Sequence, residues 1–172
     1  LRIVITDAKL MKNEDIRAIL TIKKSWHYDE IIVLLSYKLK NNAMNIEQVR
    51  DFTLSLFGVT EDQPFGDDNI TFRVEGKIFL CLWLGYGTYS IQDSRLRFAC
   101  KLCPDRNDEL REQNEAITPA FHWNKKHWSD VFFEQLETEF VEAIIRESYG
   151  VIVSKLPKTT REKYKDYAAT IC

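Results

Sequence analysis

Several things are scarce in this 172-residue chain, and each scarcity excludes a class of protein. No window approaches the roughly 18 consecutive apolar residues that a spanning helix needs. The longest apolar runs, Ile31 to Leu35 and Ile78 to Leu84, are short. The start, Leu1-Arg-Ile-Val-Ile-Thr-Asp7, lacks a basic-then-apolar leader with a small-residue cleavage site, so the cytoplasm is the expected compartment. Four cysteines (Cys81, Cys100, Cys103, Cys172) are too few for a disulfide scaffold, and a chain this long does not need one, so free, mostly buried thiols are expected. Phosphate-cradling glycine loops are missing: there is no G-x-G-x-x-G and no Walker-type run. No G-x-S-x-G elbow or Cys–His pairing stands out. The acidic loop with Glu61, Asp62, Asp67 and Asp68 lacks calcium-loop spacing.

Strong net charge is also missing. The chain carries 24 Lys/Arg against 26 Asp/Glu, a net of −2, so no global basic field marks a nucleic-acid binder. The distribution is uneven: residues 1–43 hold a net of +3 and residues 44–172 a net of −5. The chain is 45% hydrophobic and 29% charged, which supports a real core under a solvated surface.

Residues 1–43 read either as an N-terminal extension outside the native protein or as a helical arm, with helices over 14–24 and 28–40. The add-on reading is favoured because the pattern from Met44 onward is complete without them. There, Asn45 with Gln48 forms a capping-box signature, followed by apolar residues at helical spacing and a stop at Gly58. Pro64 and Gly66 mark residues 60–68 as a loop. Residues 70–74 and 77–84 read as a hairpin turning at Glu75-Gly76, and residues 94–103 as a third strand with Arg95, Arg97 and Ala99 on one face. Residues 104–114 form a helix opened by Pro104, and residues 116–121 a loop. A strand at 128–133, a long helix at 137–156 and a closing helix at 160–167 complete the order. The expected fold is α+β, an antiparallel sheet of about four strands with helices packed on one side.

The chemistry-bearing residues are few. Cys100-Lys-Leu-Cys103 has CxxC spacing, but residues three apart on a strand face opposite ways, and no second pair completes a metal site. His122 and His127 flank Trp123-Asn-Lys-Lys126 without a carboxylate between them, which is not a zinc-protease arrangement. The same segment places Asn124, Lys125 and Lys126 beside Trp128, a basic and aromatic combination suited to an anionic surface; the plainer alternative is a packed Trp with solvated lysines. Lys155, Lys158 and Arg161 form a second basic group, of which Lys155 and Lys158 are also explained by a helix C-terminus.

Taken in order, four segments resemble the MmcQ/YjbR family: Gly58-Val-Thr-Glu-Asp62 with Pro64-Phe-Gly66; Gly76-Lys-Ile-Phe79; His122-Trp-Asn-Lys-Lys-His-Trp128; and Ser148-Tyr149 with Lys155-Leu-Pro-Lys158. The resemblance covers roughly residues 44–165. It implies a compact CyaY/frataxin-like α+β domain and a DNA-binding role, with His122, Asn124, Lys125, His127, Trp128, Lys155 and Lys158 as the shared surface.

Two functions follow as expectations. One is weak or non-specific DNA binding, with phosphates neutralised by Lys125, Lys126, Lys155, Lys158 and Arg161. The other is a protein- or small-ligand-interaction module, or a self-association face, using the aromatic candidates Trp83, Tyr86, Tyr89, Trp123 and Trp128 on the sheet. The chain reads as a binding module and not an enzyme, with no catalytic residue, cofactor, metal or membrane partner expected.

Overall fold

The computed structural model describes residues 43–85 and 95–167. These belong to the second of two units of the chain, Asn42–Cys172. The helices expected at 14–24 and 28–40, together with Tyr86 and Tyr89, lie outside the described residues.

Helix α1 (Ile46–Leu54) starts where the sequence expects it. The Asn45 side chain accepts from the Gln48 amide at 2.8 Å, and the Asn45 amide donates to Gln48 Oε1 at 2.9 Å. Strand β1 (Val59–Asp62) follows Gly58, whose φ of +71° and close approach to the Tyr164 hydroxyl leave no room for a side chain. Next come β2 (Asn69–Val74) and β3 (Lys77–Trp83). Their two-residue turn has Glu75 at φ 48° and Gly76 at φ 73°, the doubly positive pattern that matches strand twist in a tight hairpin. Strand β4 (Arg97–Lys101) leads into helix α2 (Pro104–Gln113), and β5 (Ile117–Pro119) and β6 (Trp128–Val131) follow. A 3₁₀ turn, the long helix α3 (Thr138–Ser154) and the single turn α4 (Lys158–Arg161) close the described chain.

The fold is α+β with an antiparallel sheet, but the sheet has six strands in the order β1-β2-β3-β4-β6-β5, not about four. The two additions are β1, in the segment expected to be loop, and β5, at the edge. Both are short and largely polar or exposed, so their pairing partners and not their own sequence make them strands.

Helix α3 lies across β2, β3 and β4. Its Val141, Ile144, Ile145, Tyr149 and Ile152 meet Phe72, Val74, Leu80, Leu82, Phe98 and Cys100 in one core. Between Phe72 and Arg73 the β2–β3 register shifts, so Phe79 has no cross-strand partner and forms a bulge. Ser148 of α3 fills the gap: its hydroxyl donates to the Phe79 carbonyl at 2.6 Å and accepts from the Lys101 amide at 3.0 Å. Helix α2 joins the same side through Arg106, which binds Glu147 of α3 with 3.0 and 3.1 Å bonds.

Cys81 and Cys100 are free and buried. Cys103 is disulfide-bonded, which corrects the free-thiol expectation there; it sits at the N-cap of α2, only half-buried and outside the core. Among the described residues no helix is long and apolar enough to cross a membrane, and no cluster of His, Cys, Asp or Glu has the grouping to hold a metal.

Candidate binding surfaces

The face of the sheet turned away from α3 is built differently. Cys81, Ala99, Ala120 and Trp128 form a small second cluster there, with Ile78 and Trp123 against it. Two polar side chains lie beside this cluster. Arg97 of β4 and Asp130 of β6 are 16% and 10% exposed, with Arg97 Nε 3.6 Å from Asp130 Oδ2. The same carboxylate oxygen accepts the Phe121 amide at 3.2 Å. The Arg97 guanidinium lies 4.7 Å from the Trp83 ring centre, a cation–π distance.

Above this floor sit two loops, one contributing Phe65 and the other Phe121, His122 and Trp123; between them and the strands is a cavity of 460 Å³. Phe65 meets Trp123 edge-to-face at 5.9 Å, and Trp123 stacks on Trp128 at 4.2 Å. The Cys81 thiol at the cavity floor is pushed up to about 12 by burial, then by the Asp130 charge, so it is a neutral thiol and not a nucleophile.

The β5–β6 connection that carries His122 and Trp123 also carries the predicted basic residues. Its turn is held from below. The Asn124 carbonyl accepts the His127 and Trp128 amides at 2.9 and 3.0 Å, and the Asn124 side chain accepts the Lys126 amide at 3.0 Å. Arg111 of α2 donates to the carbonyls of Lys125 and Trp128, both at 2.7 Å. Asn107 supports the Lys126 carbonyl at 3.3 Å. With the backbone spoken for, the Lys125 and Lys126 side chains are left exposed while Trp128 is buried and His127 half-buried.

Antiparallel pairing decides what lies near that turn. Lys101, the last residue of β4, pairs with Trp128, the first of β6, and its ammonium lies 6.0 Å from the Trp128 ring centre. Lys77 opens β3, the strand on the other side of β4. Lys155 caps the C-terminus of α3. Burial first, then the charges of Lys155 and Lys77, hold the Lys101 ammonium below the ordinary lysine value. The start of β3, the end of β4 and the start of β6 therefore form one end of the sheet, bearing Lys77 and Lys101 with Lys125 and Lys126 in the adjoining turn.

The arginines are used differently from these lysines. Arg50, Arg73, Arg97, Arg106, Arg111 and Arg146 each have an acidic partner. Among the described residues, Lys77, Lys101, Lys125, Lys126, Lys155 and Lys158 form no ion pair. Arg161 donates to the Ser154 carbonyl at 2.9 Å, so it closes the end of α3.

Of the predicted surface, His122 lines the cavity, Asn124 and Trp128 build the turn, and Lys125 and Lys126 project from it. Lys155 approaches through Lys101, whereas Lys158 and Arg161 belong to the following turn, α4. Sequence reasoning did not single out Lys77, Lys101, Phe65, Arg97 or Asp130 as site residues. The alternation that put Arg95, Arg97 and Ala99 on one face of β4 was a usable signal for Arg97.

The fold has relatives. A Deinococcus radiodurans protein of the DUF419 domain family superposes with a TM-score of 0.62 over 76% of this chain and 94% of its own, at 24% identity. A Pseudomonas syringae protein superposes with a TM-score of 0.51 over 61% of this chain and 96% of its own. In sequence, the Escherichia coli O157:H7 protein YbdF is 28% identical over 107 residues, 59% of this chain and 79% of YbdF. The Escherichia coli K12 protein YjbR is 30% identical over 71 residues, 41% of this chain and 60% of YjbR. The YjbR family profile matches residues 54–151, from the end of α1 into α3, and the chain belongs to that family.

Proposed function

We propose that this protein is a binding module that takes an anionic, phosphate-bearing polymer, with DNA as the first candidate, along the lysine-bearing end of its sheet. The observation that carries the reading is the convergence of Lys77, Lys101 and Lys155 at one end of the sheet, beside the turn bearing Lys125 and Lys126. These lysines lack ion-pair partners among the described residues of an acidic domain. Placing like charges together without counter-charges costs stability, and a phosphate chain removes that cost on binding. Lysine suits such a surface because it offers a mobile point charge that follows a backbone without demanding one geometry. Binding of this kind positions a strand and does not by itself read sequence.

The test is fluorescence anisotropy with labelled single- and double-stranded DNA over a salt series, on the full chain. The parent protein is compared with Lys101→Ala/Lys155→Ala and Lys125→Ala/Lys126→Ala. Affinity should fall steeply with salt. Removing one phosphate-neutralising lysine should make the log–log slope shallower by about 0.7 for single strands or about 0.9 for duplex. Absence of binding at low salt, or superimposable curves for all three proteins, sinks the proposal.

A second reading, a small-ligand module, is favoured by a separate observation: the aromatic cavity on the open face, bordered by the half-buried Arg97 and the buried Asp130.

A further inference from the structure

Two large rings stand out to solvent at the cavity: Phe121 is 68% exposed and Phe65 56%. They come from different loops, one between β5 and β6 and the other between β1 and β2. Neither is part of the core or of the second cluster under the open face, so packing does not account for them. Trp123 and Trp83 continue the aromatic lining behind them. The floor does not call for a charged guest. Arg97 and Asp130 face each other at 3.6 Å and Asp130 also takes the Phe121 amide, so the two charges offset each other and are already engaged. Asp67 and Asp68 follow Phe65 in its loop, which makes the rim unfavourable to phosphate. A guest suited to exposed rings over a neutral floor is flat and uncharged. A nucleobase is such a body, and aromatic side chains accept every base because each has a π-face. At 460 Å³ the cavity falls within the range of small-ligand sites, about 300–1,000 Å³.

The lysine-bearing end of the sheet adjoins this cavity. Trp123 stacks on Trp128 at 4.2 Å, and the Lys101 ammonium is 6.0 Å from the Trp128 ring centre. Lys101 and Arg97 are the two ends of β4, so the lysine end and the cavity floor are about 13 Å apart along one strand. We infer that the protein binds single-stranded DNA in preference to duplex, with phosphates over the lysines and unpaired bases stacked on Phe121, Phe65 and Trp123. The inference rests on the phosphate reading and adds to it the strandedness and the contact that sets it. Lysines alone cannot supply that preference, because duplex DNA has the denser phosphates. Rings can, because in a duplex the base faces are stacked on one another and out of their reach.

The experiment is fluorescence anisotropy on the full chain with three labelled probes of about 12 nucleotides, within the usual range of single-strand site sizes. They are oligothymidylate, an abasic sugar-phosphate strand of the same length, and the thymidylate–adenylate duplex. The first two carry the same charge and differ only in their bases. Oligothymidylate should bind about tenfold more tightly than the abasic strand, and more tightly than the duplex. It should also quench tryptophan fluorescence, which the abasic strand should not. Phe65→Ala/Phe121→Ala should bring oligothymidylate to the abasic level at an unchanged salt slope, since no lysine is removed. Both side chains are exposed, and the Phe121 amide that Asp130 holds is a backbone group and survives the change. The variant should therefore keep the far-UV circular dichroism of the parent, and the abasic comparison needs no variant at all. Equal affinity for the thymidylate and abasic strands overturns the inference; steep salt dependence with both would then leave the phosphate reading standing. Tighter binding to the duplex, or a preference for bases that survives the double substitution, overturns it as well. Binding to none of the three probes at low salt removes both readings.

Discussion

Ser148→Ala tests the account of the lysine-bearing end of the sheet most directly, because one hydroxyl joins three elements there. The Ser148 side chain is fully buried on α3. It donates to the carbonyl of the bulged Phe79 in β3 and accepts from the Lys101 amide at the end of β4. Neither backbone group has a partner in the β3–β4 ladder, which runs only from Leu80↔Cys100 to Trp83↔Arg97. Removing the oxygen strands both groups. A buried unpaired donor or acceptor costs about 1–3 kcal/mol. The Lys101 amide is only partly buried, which places the sum at about 2–4 kcal/mol. The better helix propensity of alanine returns roughly 0.5 kcal/mol and does not change the sign. With a urea slope of about 1–3 kcal/mol per molar, the midpoint should fall by about 1–2 M at unchanged slope. Ser154→Ala is the internal control. Its hydroxyl bonds only to the Val151 carbonyl within the same helix, at 3.0 Å, so its change should stay within about 0.5 kcal/mol. A Ser148→Ala effect no larger than that of the control would refute the view that this hydroxyl ties the sheet end to the helix.

Two further outcomes follow from the buried titrating groups. Tyr149 donates to the Phe57 carbonyl at 2.8 Å and Tyr164 to Glu75 Oε1 at 2.7 Å, and burial, first among the causes, pushes both phenols up to about 12 from 10.0. A phenol that holds its proton more tightly when folded stabilises the fold fully below pH 10 and gives that stability up as pH climbs towards about 12. Urea midpoints should therefore drop across that window, and the Tyr149→Phe variant should drop less; a flat profile would contradict the assignment. Cys81, a neutral thiol at neutral pH, should resist iodoacetamide in the folded protein and react on unfolding, as read by mass spectrometry of the labelled peptide. Rapid labelling of Cys81 in the native state would show that its thiol is not buried as described.

How much of this was legible in the sequence depends on whether the signal is local. The capping box at Asn45 and Gln48, the turn at Glu75-Gly76 and the apolar face of α3 are written within a few residues, and each was placed correctly. Strands β1 and β5 were missed because Val59–Asp62 is mostly exposed and acidic and Ile117–Pro119 is three residues long with a proline. Such edge strands exist because a neighbour presents unpaired backbone groups, not because their own side chains demand extension. Likewise, Lys125 and Lys126 stood out as a pair in sequence, but Lys77 and Lys101 did not. They are single residues at strand ends, and only the antiparallel register brings them to one place.

The β5–β6 connection explains why the two candidate surfaces are built side by side. Its backbone is held at the turn by Arg111 and Asn107 of α2, and its opening is held by Phe121 on Asp130. Between those anchors, side chains are sorted by position: Trp123 turns over the open face to stack on Trp128, while Lys125 and Lys126 project at the tip. Arg111 thus acts on both surfaces without being exposed as a ligand. Its own partners are carbonyls, the Ser129 hydroxyl at 3.0 Å and Asp108 at 3.5 Å. A guanidinium is needed for this, since its planar fork serves these four acceptors at fixed angles where an ammonium would serve them loosely. The division between paired arginines and lysines without ion-pair partners then has a physical sense. Rigid cations hold the frame in place, and flexible cations are left at its end, where the proposed phosphate polymer would lie.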